Sequence, residues 1–171
     1  IFRREIVLRT MFTPNIPIGE DQTACIQFFL QAKNVLLIPE NYYCYVQRET
    51  SVSNAGGSRV ADRIEEAYEN YREHARMLLM VTPELKKAIY SRFVFQALTI
   101  LGWMARSKMD EKKLGYQVTL DMRKMLIGTL LDKKNYLSIK IISILAAVHY
   151  KIVIAMYKIY RACTINKRLI K

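Results

Sequence analysis

Gly19-Glu20-Asp21-Gln22 sets two adjacent carboxylates at the head of an apolar run, Thr23-Ala24-Cys25-Ile26-Gln27-Phe28-Phe29-Leu30. A carboxylate there satisfies free backbone N–H groups and favours the helix dipole, so Asp21 reads first as a helix cap. The same group beside an alcohol would act as a general base, because a hydroxyl is a poor nucleophile at neutral pH and must lose its proton as a new bond forms. Downstream, Tyr42-Tyr43-Cys44-Tyr45-Val46-Gln47-Arg48 runs into Glu49-Thr50-Ser51. A guanidinium at Arg48 can pair with an anionic group. The plain alternative for Arg48 is a surface charge at the end of a strand.

The elements that must position these residues change character along the chain. Residues 2 to 9 predict a helical turn, Pro14, Pro17 and Gly19 a loop, and 21 to 33 a helix. Val35-Leu36-Leu37-Ile38 and the tyrosine-rich 42 to 47 predict strands. The small, polar stretch from Ser51 to Ser58 predicts a loop, either a linker or a movable flap. From Arg59 the pattern is helical: Ile64, Ala67, Tyr68, Tyr71, Ala75, Leu78 and Leu79 recur at spacings of three and four. Thr82-Pro83-Glu84 predicts the capped start of a second helix reaching about Arg106. Lys108 to Lys113 predicts a polar connection, 118 to 132 a third helix, and 136 to 163 one long final helix. Trp103 and the methionines of this region read as core.

Taken in order, Ile1-Phe2-Arg3-Arg4-Glu5-Ile6-Val7, Phe12, Gly-Glu-Asp-Gln at 19 to 22, Ile38-Pro39-Glu40 and the segment Tyr43 to Ser53 resemble the second half of a bacterial family 2 glycosyltransferase. The resemblance covers roughly the first third of the chain. It implies that Asp21 is the general base of an inverting sugar transfer, with Glu20 beside it in the catalytic pair shaping the acceptor pocket, and that Arg48, Ser51 and Gln22 bind substrate, the Arg48 guanidinium gripping diphosphate oxygens in pairs. It also implies a nucleotide-sugar donor, a glycan or lipid-linked acceptor in cell-surface polysaccharide synthesis, and a divalent metal, Mg or Mn, held by an Asp-x-Asp motif. No Asp-x-Asp, Gly-x-Gly-x-x-Gly or Gly-x-x-x-x-Gly-Lys occurs in the sequence. The resemblance therefore implies a C-terminal part whose nucleotide-binding half is missing, inactive alone. Within these residues no metal ligand is expected.

Hydrophobic residues make up 51% of the 171, which argues against wholesale disorder. The formal net charge of +12 asks for an anionic partner, either nucleic acid or a membrane surface. Its placement favours the membrane, because Lys140, Lys151, Lys158 and Arg161 interrupt the apolar final helix and, read as one helix, gather on one side of it. A bundle helix with a solvated basic face is the alternative. No helix-turn-helix, zinc or ribonucleoprotein motif supports a nucleic-acid partner. Cys25, Cys44 and Cys163 are widely spaced and predict free thiols in a reducing compartment. His74 and His149 are expected at a surface or an interface, without chemistry.

The fold expected from these readings is α+β, predominantly helical. Residues 1–55 would be the end of a GT-A-like αβ catalytic domain. Residues 59–171 would form a C-terminal bundle of about four helices. The expected function is part of a glycosyltransferase on the cytoplasmic side, at the inner face of the cytoplasmic membrane. The alternative is a non-catalytic basic helical module that binds a membrane surface or nucleic acid.

Overall fold

A computed structural model describes residues 3–9, 20–36, 39–40, 44, 46, 63–107 and 112–169, with side chains except for Arg9, Glu20 and 164–169. Among the described residues seven α-helices follow one another: α1 (Arg4–Arg9), α2 (Glu20–Gln31), α3 (Ile64–Val81), α4 (Lys86–Arg106), α5 (Lys112–Leu131), α6 (Leu137–Val148) and α7 (Tyr150–Leu169). No strand occurs among the described residues, 85% of which are helical. This overturns the expected α+β fold with a GT-A-like αβ end. Val35 and Leu36 are exposed and outside any regular element, as are Cys44 and Val46. Their apolar and tyrosine-rich surroundings suit a strand in composition, but a strand needs a neighbour's backbone to complete its hydrogen bonds, and no such partner is found among the described residues.

Helices α3 to α7 form the bundle, and α4 is its axis. It packs against α3, α5, α6 and α7. The reason lies in its sequence, where apolar residues surround the helix instead of forming one stripe. Phe93, Val94, Ala97, Ile100 and Leu101 are all buried, and each large side chain removed from water stabilises the fold by about 1.5–3 kcal/mol. The span Pro83–Arg106 is also long and apolar enough to cross a membrane, but most of that surface is covered by the other helices. Around α4, the spacing of three and four in α3 buries Ile64, Ala67, Tyr68, Tyr71 and Ala75 as the sequence predicts, while α5 contributes Leu114, Val118 and Met122.

Two polar knots, the first buried and the second half-buried, fix which helix faces which. In the first, the Asp121 carboxylate on α5 accepts a hydrogen bond from the Tyr68 hydroxyl at 2.9 Å and pairs with the Arg72 guanidinium at 3.0 Å. Burial, reinforced by that carboxylate, pushes the Tyr68 phenol far above its ordinary value. In the second, Ser91 Oγ of α4 lies 2.8 Å from Asp132 Oδ2, and Asn135 Nδ2 donates both to Ser91 Oγ and to the Thr129 carbonyl. The Lys134 backbone N–H and the Ser91 hydroxyl hold the Asp132 carboxyl below the usual range. That knot pins the turn between α5 and α6 to the bundle.

Three boundaries depart from the sequence reading. Thr82 does not cap α4: its hydroxyl donates back to the Leu78 carbonyl at 2.8 Å and closes α3, while Pro83–Leu85 forms a 3₁₀ turn leading into α4. Lys112 and Lys113 open α5 and are not part of a connection. The expected helix over 136 to 163 is two helices broken at His149, whose backbone is extended at φ −164° and ψ 128°. The bundle therefore has five helices, where about four were expected.

Candidate functional site

Asp21 stands in the first turn of α2 with its side chain exposed, and its Oδ1 accepts the Gln22 backbone N–H at 2.7 Å. The two residues that follow it turn inward. Gln22 Oε1 accepts a hydrogen bond from Gln96 Nε2 of α4 at 2.8 Å. Thr23 Oγ1 lies 2.6 Å from His74 Nε2 of α3, and both side chains are buried. One turn further along, Ala24 and Phe28 share the buried face of α2 at helical spacing. The alternation is therefore set by helix geometry: a residue that faces solvent, then two that grip two different helices of the bundle.

The neighbourhood of Asp21 is not purely acidic. Burial raises the Tyr71 phenol above its usual range, the positive charge of Arg92 opposes that rise, and the negative charge of Asp21 adds to it. Both charged groups thus act on one buried ring of α3. Beside it, burial lowers the His74 pKa, so the imidazole is held neutral, with Glu73 pulling weakly the other way. His74 Nδ1 is buried and has no hydrogen-bond partner among the described residues. His74 lies at the interface of α2 and α3, in the kind of place the sequence suggested. Its contact with Thr23 was not legible, because the two are 51 residues apart. Tyr71, Arg92 and Gln96 were likewise not singled out as site residues. Tyr71 carried only the signal of core periodicity, and Arg92 and Gln96 carried none.

Of the other expected site residues, Glu20 opens α2, and its side chain lies outside the described set. Arg48 and Ser51 lie outside the described residues altogether, as do Gly19 and the loop 51 to 58. Gln22 follows Asp21 in the chain but turns its side chain inward to Gln96 while the Asp21 carboxylate faces solvent, and the pairing of Asp21 with Arg48 lies outside the described residues. No group of three or more His, Cys, Asp or Glu side chains that could hold a metal occurs among the described residues. Cys25, Cys44 and Cys163 are free thiols.

At the far end of the bundle, the break between α6 and α7 is chemically complete. Arg123 of α5 donates from Nε to the Ala147 carbonyl at 2.7 Å and from Nη2 to the Val148 carbonyl at 3.1 Å, closing α6. On the other side of the break the Tyr150 N–H donates to Thr119 Oγ1, and the Lys151 N–H donates to His149 Nδ1, both at 3.1 Å. His149 is thus the N-cap of α7. Its ring stacks on Tyr150, with centroids 4.8 Å apart, and Tyr116 meets both rings edge-on. The break also cancels the continuous basic stripe expected over 136 to 163: Lys140 belongs to α6, and only Lys151, Lys158 and Arg161 share a helix.

Comparison with family models, with curated proteins and with solved structures gives no match for this chain.

Proposed function

We propose that the chain is the acceptor-side part of an inverting glycosyltransferase, in which the helical bundle serves as the mount for Asp21. The resemblance of the first third supplies the class of reaction. The observation that carries the role is the clamped first turn of α2: Gln22 and Thr23 are tied to α4 and α3, so the exposed carboxylate of Asp21, just before them in the same turn, is held in place by its neighbours. A general base gains from that arrangement, because a reacting carboxylate must be fixed within hydrogen-bond reach of the proton it takes.

In this reading the Asp21 carboxylate receives the proton of an acceptor hydroxyl while that oxygen bonds to the anomeric carbon. The nucleoside diphosphate departs from the opposite face with the electron pair of the broken bond. Inversion follows from attack opposite the leaving group. Arg92, whose charge acts on the same buried ring as Asp21, keeps the site from being uniformly negative as substrate phosphate approaches. The divalent metal implied by the resemblance has no ligand set among the described residues, so this chain's own step is the proton transfer at the acceptor.

The test is Asp21→Asn in the full-length enzyme. Sugar transfer should fall by at least about a hundredfold, the contribution of a positioned base, while donor binding is unchanged. Loss of donor binding with turnover retained would remove Asp21 from this role. A second reading, a non-catalytic helical module, is favoured by the helical fold of the described residues. Unchanged transfer in the Asp21→Asn enzyme would select it.

A further inference from the structure

After Asp132 the sequence has nine lysines and arginines and no aspartate or glutamate. This segment forms α6 and α7, and it also exposes apolar side chains in register. On α6, Leu137, Ile141, Ile144 and Val148 are all exposed and follow at steps of four, three and four, which places them within an arc of about 60°. On α7, Ile152, Met156 and Ile159 repeat the same steps, and Ile159 is 65% exposed. Val153, one position on from Ile152, is fully buried against the bundle, so the exposed stripe is a different face from the packed one. Lys151 and Lys158 sit on the shoulder of that stripe, about 110–130° from its centre, and Arg161 lies beyond them.

From this placement we infer that α6 and α7 seat the protein on an anionic lipid surface, with the apolar stripes entering the acyl boundary and the lysines reaching the head groups. Charge decides the occupant. A second copy seated on this face would set its Lys140, Lys151, Lys158 and Arg161 against these with no acid on either helix to answer them, whereas phosphate-bearing lipids supply negative charge and an apolar layer together. A duplex nucleic acid would satisfy the lysines but leave the isoleucines in water. The inference is independent of sugar transfer, since it involves no residue of α2.

The experiment is co-sedimentation of the 171-residue chain with vesicles of phosphatidylcholine alone and of phosphatidylcholine with phosphatidylglycerol, at low and high salt. Binding should require phosphatidylglycerol and weaken as salt rises. Ile159→Asp should lower it by about tenfold or more, and Lys151→Gln and Lys158→Gln by about fivefold each. Helical circular dichroism and melting temperature should be unchanged, because these side chains are exposed. Asp21→Asn should bind vesicles like the unaltered chain, so this result and the transfer assay fail separately. The inference is overturned by absence of binding to phosphatidylglycerol vesicles, or by binding that Ile159→Asp leaves intact. It is also overturned by duplex DNA displacing the vesicles, or by a dimer in sedimentation velocity that Ile159→Asp dissociates.

Discussion

His74 is buried, neutral and in contact with Thr23, so protonating it would place an uncompensated charge between α2 and α3. Its pKa in the folded chain lies below the ordinary 6.5. The sign follows: above that ordinary value the residue is neutral in both folded and unfolded chains and costs nothing. As pH falls through 6.5 the unfolded chain takes up the proton first, and the folded form loses stability until its own lower pKa is reached. Amide exchange in α2 is therefore expected to quicken on mild acidification, and His74→Gln should abolish that acid dependence in a hydrogen-exchange measurement. Thr23→Val should loosen α2 even at neutral pH, by about 1–3 kcal/mol, because it strands a buried ring nitrogen. Tyr68→Phe removes a hydrogen bond to the buried Asp121 carboxylate and should cost about 1.5–3 kcal/mol in a urea titration. None of these contacts could be read in advance, since each joins residues that only tertiary packing brings together.

At the level of elements, the helices whose apolar residues recur at three and four were legible, and α3 is the clearest case. The break at His149 was not. The pattern Val148, Ile152, Met156 runs across it in phase, and no proline or glycine marks it. What ends α6 is a guanidinium from a different helix, and what starts α7 is an imidazole together with a hydroxyl from α5. Arg123→Met keeps the packing stem and removes both donors, leaving the last carbonyls of α6 without them. It should destabilise the fold by about 1–3 kcal/mol, read as a lower urea midpoint. Glycines report on the same seam. A Cβ on Gly115 would overlap the ring of Tyr150, whose backbone is already fixed by Thr119, so Gly115→Ala should cost about 1–3 kcal/mol. At Gly102 the nearest atom to a new Cβ is the Tyr157 ring at 3.3 Å. Tyr157 is exposed and can yield, so Gly102→Ala should be nearly neutral, the gain in helix propensity offsetting the displacement. The strand reading of 35 to 38 and 42 to 47 shows the opposite error. Composition alone suggested β structure where no pairing partner is found among the described residues, and residues 37, 38, 42, 43, 45 and 47 lie outside them.

For the molecule as a whole, a helical bundle was legible because four stretches could bury apolar faces only against one another. Its arrangement around α4 was not, because nothing in a linear pattern says which helix will be surrounded. Packing between successive helices, α3 on α4, α4 on α5, α5 on α6 and α6 on α7, makes most of the fold local in sequence. The exceptions are the return of α7 onto α4 and α5, a smaller contact of α6 with α4, and the docking of α2 on α3 and α4. During synthesis, α3 to α6 can associate as they emerge, but the hollows at Gly102 and Gly115 wait for the rings of Tyr157 and Tyr150. Until those tyrosines leave the ribosome, the central helix presents an open apolar flank that a chaperone, or another nascent chain, would be free to occupy.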